Sequence, residues 1–588
     1  MVKFNKYSAI LFLQVFFFSC SQDDPVNPKE EVETLTEIPS KEPVEGIRIA
    51  WDHQSLKQIS ESNSSEYNGY ARLIELNDNS ILTVYESNGN VVMKESEDYG
   101  NSWSAAVPVV ASRNGINMAT PDLIQLKDHS ILISYNPRPT DNADPSEKFA
   151  IRTTKSYDGG SSWQDDQLVY EASNNFGDGA WEPSAVQLPN GEIQLFFSNE
   201  NIYRESNEQN ISLLRSQDNG VTWTSTPEIA SFTSGSRDGM PSPLLLNKSN
   251  EIVFAIEDNS ENNQFKPYII RNSVDENWKE TVTGNSPNRS YSLSEELDPA
   301  VYAGAPYLAQ LSSGETLLSY QGTEGRSGNN LGNADMKVVI GDERAYNFDR
   351  KTVPFIIEED KSALWNSIAV LEDDSVIALT TTNAFSNSNA SEVWMIKGYV
   401  ISEIIAFNST INIDGALEED LWKIDYPVFI GHKGSTQLYS NVAFDDEHLY
   451  VVTKVIDKDI STTSSNPANN DAVVVYLDPH NESLVAPGPG IFKIVVSANS
   501  NTEIFEGDDS AWTEISGDNI TTASSETSEG YFQEIAIPWS LLGGKAASNS
   551  RIGFNMELLE KGESNYKESI SSNLADHPYS WSTLKLNN

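Results

Sequence analysis

Two glutamates carry the reactive potential of this sequence. Glu182, in Trp181-Glu182-Pro183, opens one apolar hairpin, and Glu257, in Ile256-Glu257-Asp258, closes the next. Two carboxyl groups about 5–5.5 Å apart are the machinery of a glycosidase that retains anomeric configuration, one acting as nucleophile and the other as acid/base. Mutual repulsion would raise the pKa of one of them, as a general acid requires near neutral pH. Each is equally the kind of residue that rims a solvated funnel in an acidic chain, so the chemistry depends on the two being brought together. Around them, Arg72 and Asp122 suit either sugar hydroxyls or a structural ion pair. Tyr307 and Trp365 suit either a sugar face or the packing of a channel. Asp238, in Arg237-Asp238-Gly239-Met240-Pro241, either holds ligand or caps a turn. With 6 scattered histidines and 1 cysteine there is no transition-metal constellation, and no cofactor is called for. A structural calcium on clustered carboxylates stays open.

A repeat is what would position these residues. Segments 70–86, 120–136, 182–198, 240–257, 305–321 and 365–381 share one pattern: an apolar strand, a polar turn and a second apolar strand. Six such hairpins, each followed by further strand-like sequence, predict a six-bladed β-propeller. Antiparallel order puts the start of each first strand and the end of each second strand on one face. The aligned starts are Tyr70, Thr120, Glu182, Met240, Ala305 and Trp365. Two residues on come Arg72, Asp122, Ser184, Ser242, Tyr307 and Ser367. The aligned ends are Glu86, Asn136, Ser198, Glu257, Gln321 and Thr381, all polar after an apolar body. Glu182 and Glu257 thus fall on adjacent blades of one face.

A second motif recurs every 60 residues: Ser96-Glu-Asp98-Tyr-Gly100-Asn-Ser102-Trp103, then the same frame at Asp158 with Trp163 and at Asp218 with Trp223. It is identified as the Asp-box of sialidase-like propellers. Its part is structural, with the carboxylate accepting backbone N–H groups in a turn and the tryptophan packing beneath. It belongs between strands three and four, on the face opposite the glutamates. Together with Trp181-Glu182-Pro183 and Asp238-Gly239-Met240-Pro241 before Glu257, these boxes resemble glycoside hydrolase family 93, the exo-α-1,5-arabinanases. The resemblance covers the propeller and implies a retaining enzyme that releases arabinobiose from arabinan ends, with Glu257 as nucleophile and Glu182 as acid/base. An exo-sialidase is the rival on the same scaffold, but Tyr70-Ala71-Arg72-Leu73, Phe197-Ser198-Asn199 and Ala305-Pro306-Tyr307-Leu308 do not supply its three arginines. Another glycosidase specificity and a non-catalytic surface glycan-binding protein remain as alternatives.

The ends of the chain carry other information. Lys3, Lys6 and the short apolar run Ala9 to Phe18 before Cys20 resemble a bacterial lipoprotein signal over 1–19, with Cys20 as the lipidated residue. Ser21-Gln22-Asp23-Asp24 resembles an acidic surface-export signal, and the Pro- and Glu-rich stretch to residue 46 reads as a disordered tether. These features predict a monomer on the outer-membrane surface of the cell envelope, touching the membrane through its lipid alone. Lys+Arg 39 against Asp+Glu 86 gives a net charge of -47, which repels phosphate backbones and excludes nucleic acid as a partner. An oligo- or polysaccharide is the expected partner. The fold class read here is all-β, with the propeller over 47–401 followed by an antiparallel β-sandwich over 402–588. In the second part, Ile413-Asp414-Gly415, Ala443-Phe444-Asp445-Asp446 and Ile537-Pro538-Trp539 resemble family 9 carbohydrate-binding modules. Trp422, Trp512, Trp539 and Trp581 are there either sugar platforms or core.

Overall fold

The computed structural model describes residues 47–587 apart from 62–66, 387–389, 402, 417–418, 420–425, 432–435, 517–518, 546–549, 562–565 and 572–574. The signal segment, Cys20, the tether and Trp422 lie outside the described residues. Strands dominate, as the alternating apolar pattern requires. Six sheets follow one another around an axis, each an antiparallel hairpin plus two outer strands, with a fifth short strand added in parallel to blade three. In blade three the hairpin is Ala180–Gln187 with Ile193–Asn199, and in blade four it is Asp238–Leu245 with Glu251–Asp258. Span 272–304, which reads from sequence as a loop, contains the outer strand Arg289–Tyr291 of blade four. It also contains Val282–Thr283, which joins blade three in parallel.

The apolar cores lie between blades. Leu82, Val84, Leu123 and Ile133 join blades one and two, Leu132, Ile151, Leu195 and Phe197 join two and three, and Phe196, Leu213, Phe254 and Ile270 join three and four. On the outer turns Asp98, Asp158 and Asp218 each accept the amide of the residue four places on, at 2.7, 2.8 and 2.8 Å. Trp103, Trp163 and Trp223 pack from these turns onto successive inter-blade cores.

The ring closes with a strand from the opposite end of the propeller sequence. Arg48–Gln58 pairs antiparallel with Glu392–Ile401 and becomes the outermost strand of blade six. The chain then passes from Ile401 to Glu403–Asn408, the first strand of a single curled sheet formed by the remainder. That strand is parallel to both of its neighbours, Ser582–Asn587 and Gln437–Phe444, whereas the other pairings of the sheet are antiparallel. Leu438, Val451 and Ile535 from one half of the curl share a core with Val473, Ile494 and Leu558 from the other, which makes it a sandwich. Trp539 and Trp581 are buried in it, while Trp512 stays partly exposed with its indole N–H on Asp576.

Arg48 joins the two parts. Its guanidinium is buried and donates to the carbonyls of Tyr579, at 3.2 Å, and Trp581. Burial pushes it down to about 10, with Asp478 opposing. Replacing it by methionine strands two buried carbonyls at a cost of about 1–3 kcal/mol. We expect Arg48→Met to speed release of the C-terminal part under limited proteolysis without altering the circular-dichroism spectrum; an unchanged cleavage rate would show that the contact does not hold the junction.

Candidate active site

Each blade begins at the axis with the same local distortion. Tyr70, Thr120, Glu182, Met240, Ala305 and Trp365 have φ of 54°, 43°, 47°, 52°, 47° and 53°. These are the six aligned strand starts of the repeat, and none is glycine. The register with the second strand slips at each one, between Gly69 and Arg72, Ala119 and Asp122, Trp181 and Ser184, Gly239 and Ser242, Gly304 and Tyr307, and Leu364 and Ser367. These are β-bulges, in which the second residue makes no ladder bond. Pro121, Pro183, Pro241 and Pro306 occupy that position, where a missing N–H costs nothing.

In five of the six blades the amide turned out by the bulge is taken up by the polar end of the preceding blade's second strand. Thr120 donates to Glu86 at 2.6 Å, Met240 to Ser198 at 2.9 Å and Ala305 to Glu257 at 2.8 Å. Trp365 donates to Gln321 at 2.8 Å and Tyr70 to Thr381 at 3.0 Å. Asn136 reaches blade three the other way round, donating to the carbonyl of Ala180 at 2.9 Å. Glu182 therefore stands on a bulge, and Glu257 is a stitch between blades four and five.

Burial pushes Glu257 up to about 7; the charge of Glu182 adds to this, while the Ala305 amide and Arg237 oppose it. Burial also raises Glu182, against Arg138 and the Ser198 hydroxyl and with help from Glu200. Space for Glu257 is made by two glycines. A Cβ at Gly304 would lie 2.6 Å from Glu257 Oε2 and one at Gly239 would lie 3.2 Å from Oε1. The Tyr302 hydroxyl stands at that same Gly304 position, also 2.6 Å from it, and accepts from Gln321 at 2.7 Å.

Several residues around the pair have no repeat signal and were not legible in the sequence. Arg138 donates to Glu182 Oε1 at 3.3 Å and to Asn136 at 2.6 Å, with its guanidinium 5.0 Å from the Trp181 ring centroid. Arg237 pairs with buried Glu200, which also accepts the Trp181 indole N–H at 3.1 Å. Arg138 and Glu200 each follow an aligned strand end, Asn136 and Ser198, by two residues, and that shared offset was the one available clue; Tyr302 lies before the blade-five hairpin, outside the aligned segments.

The other candidates divide. Arg72, Asp122 and Tyr307 meet at the axis with Tyr70, Ser184 and Glu182 around a narrow void. Arg72 is 3% exposed, donates to the carbonyls of Ala71 and Trp365, and lies 4.0 and 4.8 Å from the ring centroids of Tyr70 and Tyr307. Asp122, from blade two, takes the Ser184 hydroxyl and, at 3.3 Å, that of Tyr307 from the opposite blade, so this bond bars the channel. Trp365 tilts against Tyr70 at 6.3 Å. Asp238 is not open to ligand: it is 0% exposed, and its oxygens are taken by Arg289, at 2.8 and 2.9 Å, and Ser231, at 2.6 Å. Asp258 pairs with the same guanidinium, so this triad is wall, because a lone buried carboxylate would need such a partner.

Residues 430–585 match the family model for carbohydrate family 9 binding domain-like sequences. The exoglucanase XynX of Acetivibrio thermocellus is 26% identical over 215 residues, which are 34% of this chain and 19% of that protein. The chain thus spans about a fifth of that relative's length. A glycoside hydrolase family 93 α-L-arabinofuranosidase of Fusarium graminearum, solved with arabinobiose, aligns with a TM-score of 0.45 and 16% identity over 58% of this chain and 96% of its own. An α-L-arabinanase of Penicillium chrysogenum, also with arabinobiose, gives 0.44 and 16% over 60% and 98%.

The raised carboxyl at Glu257 has a consequence for stability. Its value rises from 4.5 to about 7 on folding, so the folded state binds more protons than the unfolded one between those limits. Its contribution is complete below about pH 4.5 and is lost as pH climbs through about 7. Glu257→Gln should therefore raise the melting temperature relative to the parent at pH 8, with the gain shrinking toward pH 4.5. Melting curves of both proteins across that range check this; a pH-independent offset would contradict it.

Proposed function

We propose that this chain is a retaining glycoside hydrolase acting on neutral plant polysaccharide, of the exo-α-1,5-arabinanase type. The observation that carries the reading is the half-buried pair Glu182 and Glu257 on adjacent blades, both raised by burial, with the charge of Glu182 adding to the rise at Glu257. The hydrolytic form has Glu182 protonated and Glu257 charged. Glu257 Oε2 is held by the Ala305 amide, which leaves Oε1 to attack the anomeric carbon while Glu182 protonates the departing oxygen. Water then enters, Glu182 takes its proton, and the glycosyl–Glu257 ester is cleaved with net retention.

Charge around the funnel supports a neutral substrate. Arg138 and Arg237 are engaged by Glu182 and Glu200, and Arg72 by backbone carbonyls and aromatic faces. No set of free guanidiniums is aimed at a substrate carboxylate among the described residues, which disfavours the sialidase reading. In this account Arg72, Asp122, Tyr307 and Trp365 form the floor on which the innermost sugar rests, and the family 9-like part holds the polymer near the funnel. Lipid on Cys20 would anchor the monomer to the outer surface of the cell envelope.

The test is to incubate protein lacking the first 20 residues with linear arabinan and with sialyl-lactose, then to analyse the released sugars. Arabinobiose from arabinan alone is expected. Glu182→Gln and Glu257→Gln should each lower its release by about 100-fold or more with the fold intact. Free sialic acid, or full activity in either variant, would overturn the assignment.

A further inference from the structure

Phe176 is 73% exposed, more than any other large apolar side chain among the described residues. It stands in the short turn Phe176–Asp178 between the outer strand of blade two and the inner strand of blade three, on the face that carries the glutamates. Its ring is not loose. It meets the Trp181 ring at 4.9 Å and that of Phe149 at 5.9 Å, both of them buried. Asn175 pins the turn by accepting the Gly177 amide at 3.4 Å and donating to Asp178 at 2.9 Å. The backbone presses against the indole so closely that a Cβ at Gly179 would fall 2.2 Å from it.

From this rim a chain of ring and guanidinium contacts runs inward. Phe176 rests on Trp181, the Arg138 guanidinium lies over Trp181, and Arg138 bonds Glu182. The next loop is tied to this turn by the Glu200 amide on the Gly179 carbonyl at 3.0 Å. An aromatic face held rigid and bare to water is suited to a ring with an apolar face of its own, because neither side chain nor loop loses freedom on binding. A neutral sugar is such a ring, and the adjacent Asp178 disfavours an anionic one.

We propose that Phe176, backed by Trp181, is the platform for the sugar on the leaving-group side of the cleaved bond. The inference rests on the reading of Glu182 as the acid: the leaving oxygen must lie at Glu182, and the platform stands on that residue's side of the pair.

The test compares wild type, Phe176→Ala and Phe176→Trp on a panel of soluble neutral polysaccharides comprising linear arabinan, arabinoxylan, xyloglucan and mixed-linkage glucan. It uses whichever polymer the wild type cleaves, together with the glycosyl fluoride of the sugar it releases, which has no ring to leave. Phe176→Ala should lower kcat/KM on the polymer about three- to tenfold and leave the fluoride unchanged, and Phe176→Trp should keep polymer activity. Equal polymer rates in Phe176→Ala and wild type, or equal losses on both substrates, overturn the platform. Cleavage of a polymer other than arabinan would overturn the arabinan reading but leave the platform to be judged on that polymer. A wild type that cleaves none of the panel overturns both.

Discussion

In every blade the chain reaches the propeller axis through a non-glycine residue held at positive φ, and in five of the six a polar side chain of the neighbouring blade binds the amide exposed there, while Asn136 donates to the Ala180 carbonyl at the sixth. A left-handed conformation costs an ordinary residue roughly 1–2 kcal/mol, so six of them persist only because the surroundings over-determine them. The inter-blade hydrogen bonds do this on the polar side and the apolar cores between blades do it on the other. The distortion has a use beyond closure. It gathers the side chains of six strand starts and six strand ends into one small funnel, where a few of them can be changed without altering the backbone. Glu182 occupies one of the strained starts and Glu257 one of the stitching ends. At the same place in blade one Glu86 also stitches, so a carboxylate there is compatible with a purely structural role. Glu86 too is raised by burial and by the charge of Glu182; what sets Glu257 apart is the pair of glycines, 239 and 304, that clear space for its two oxygens.

The acidic funnel is kept intact by compensation nearby. Arg138 offsets Glu182, and Arg237 offsets Glu200. The wall behind is sealed by Arg289 between Asp238 and Asp258, and the floor by Asp122 with Ser184 and Tyr307. Burying carboxylates in this way raises their affinity for protons and loses stability as pH rises. Sites that hold reactive groups commonly carry such a cost.

Much of this was legible in the sequence because a repeat reports on geometry. Aligning six hairpins identified the bulged starts from Tyr70 to Trp365 and the stitching ends from Glu86 to Thr381, although the alignment gave no sign of the positive φ or of the amide each end binds. The all-β class and the two-part architecture followed from the same strand spacing. Arg138 and Glu200 stand two residues past aligned strand ends, and Arg237 and Tyr302 three before aligned starts, but nothing in those offsets marks them as part of the site, and Phe176 lies in a loop with no periodicity. Asp238 was misplaced because a carboxylate beside Gly239 in sequence is indistinguishable from a ligand until Arg289, fifty-one residues on, is brought to it. The pairing of Arg48–Gln58 with Glu392–Ile401 likewise joins segments far apart in the chain, and no local pattern announces it.

Placing the closing strand at the junction couples the two parts: Arg48, in the strand that completes blade six, also binds the carbonyls of Tyr579 and Trp581. The central claim, however, concerns the glutamate pair, and it is tested most directly by trapping. Incubation with an activated 2-deoxy-2-fluoro arabinoside, followed by peptide mass spectrometry, should find the sugar covalently bound to Glu257, with turnover lost in step with labelling. A label on another residue, or hydrolysis that proceeds with inverted configuration and no label, would contradict the account.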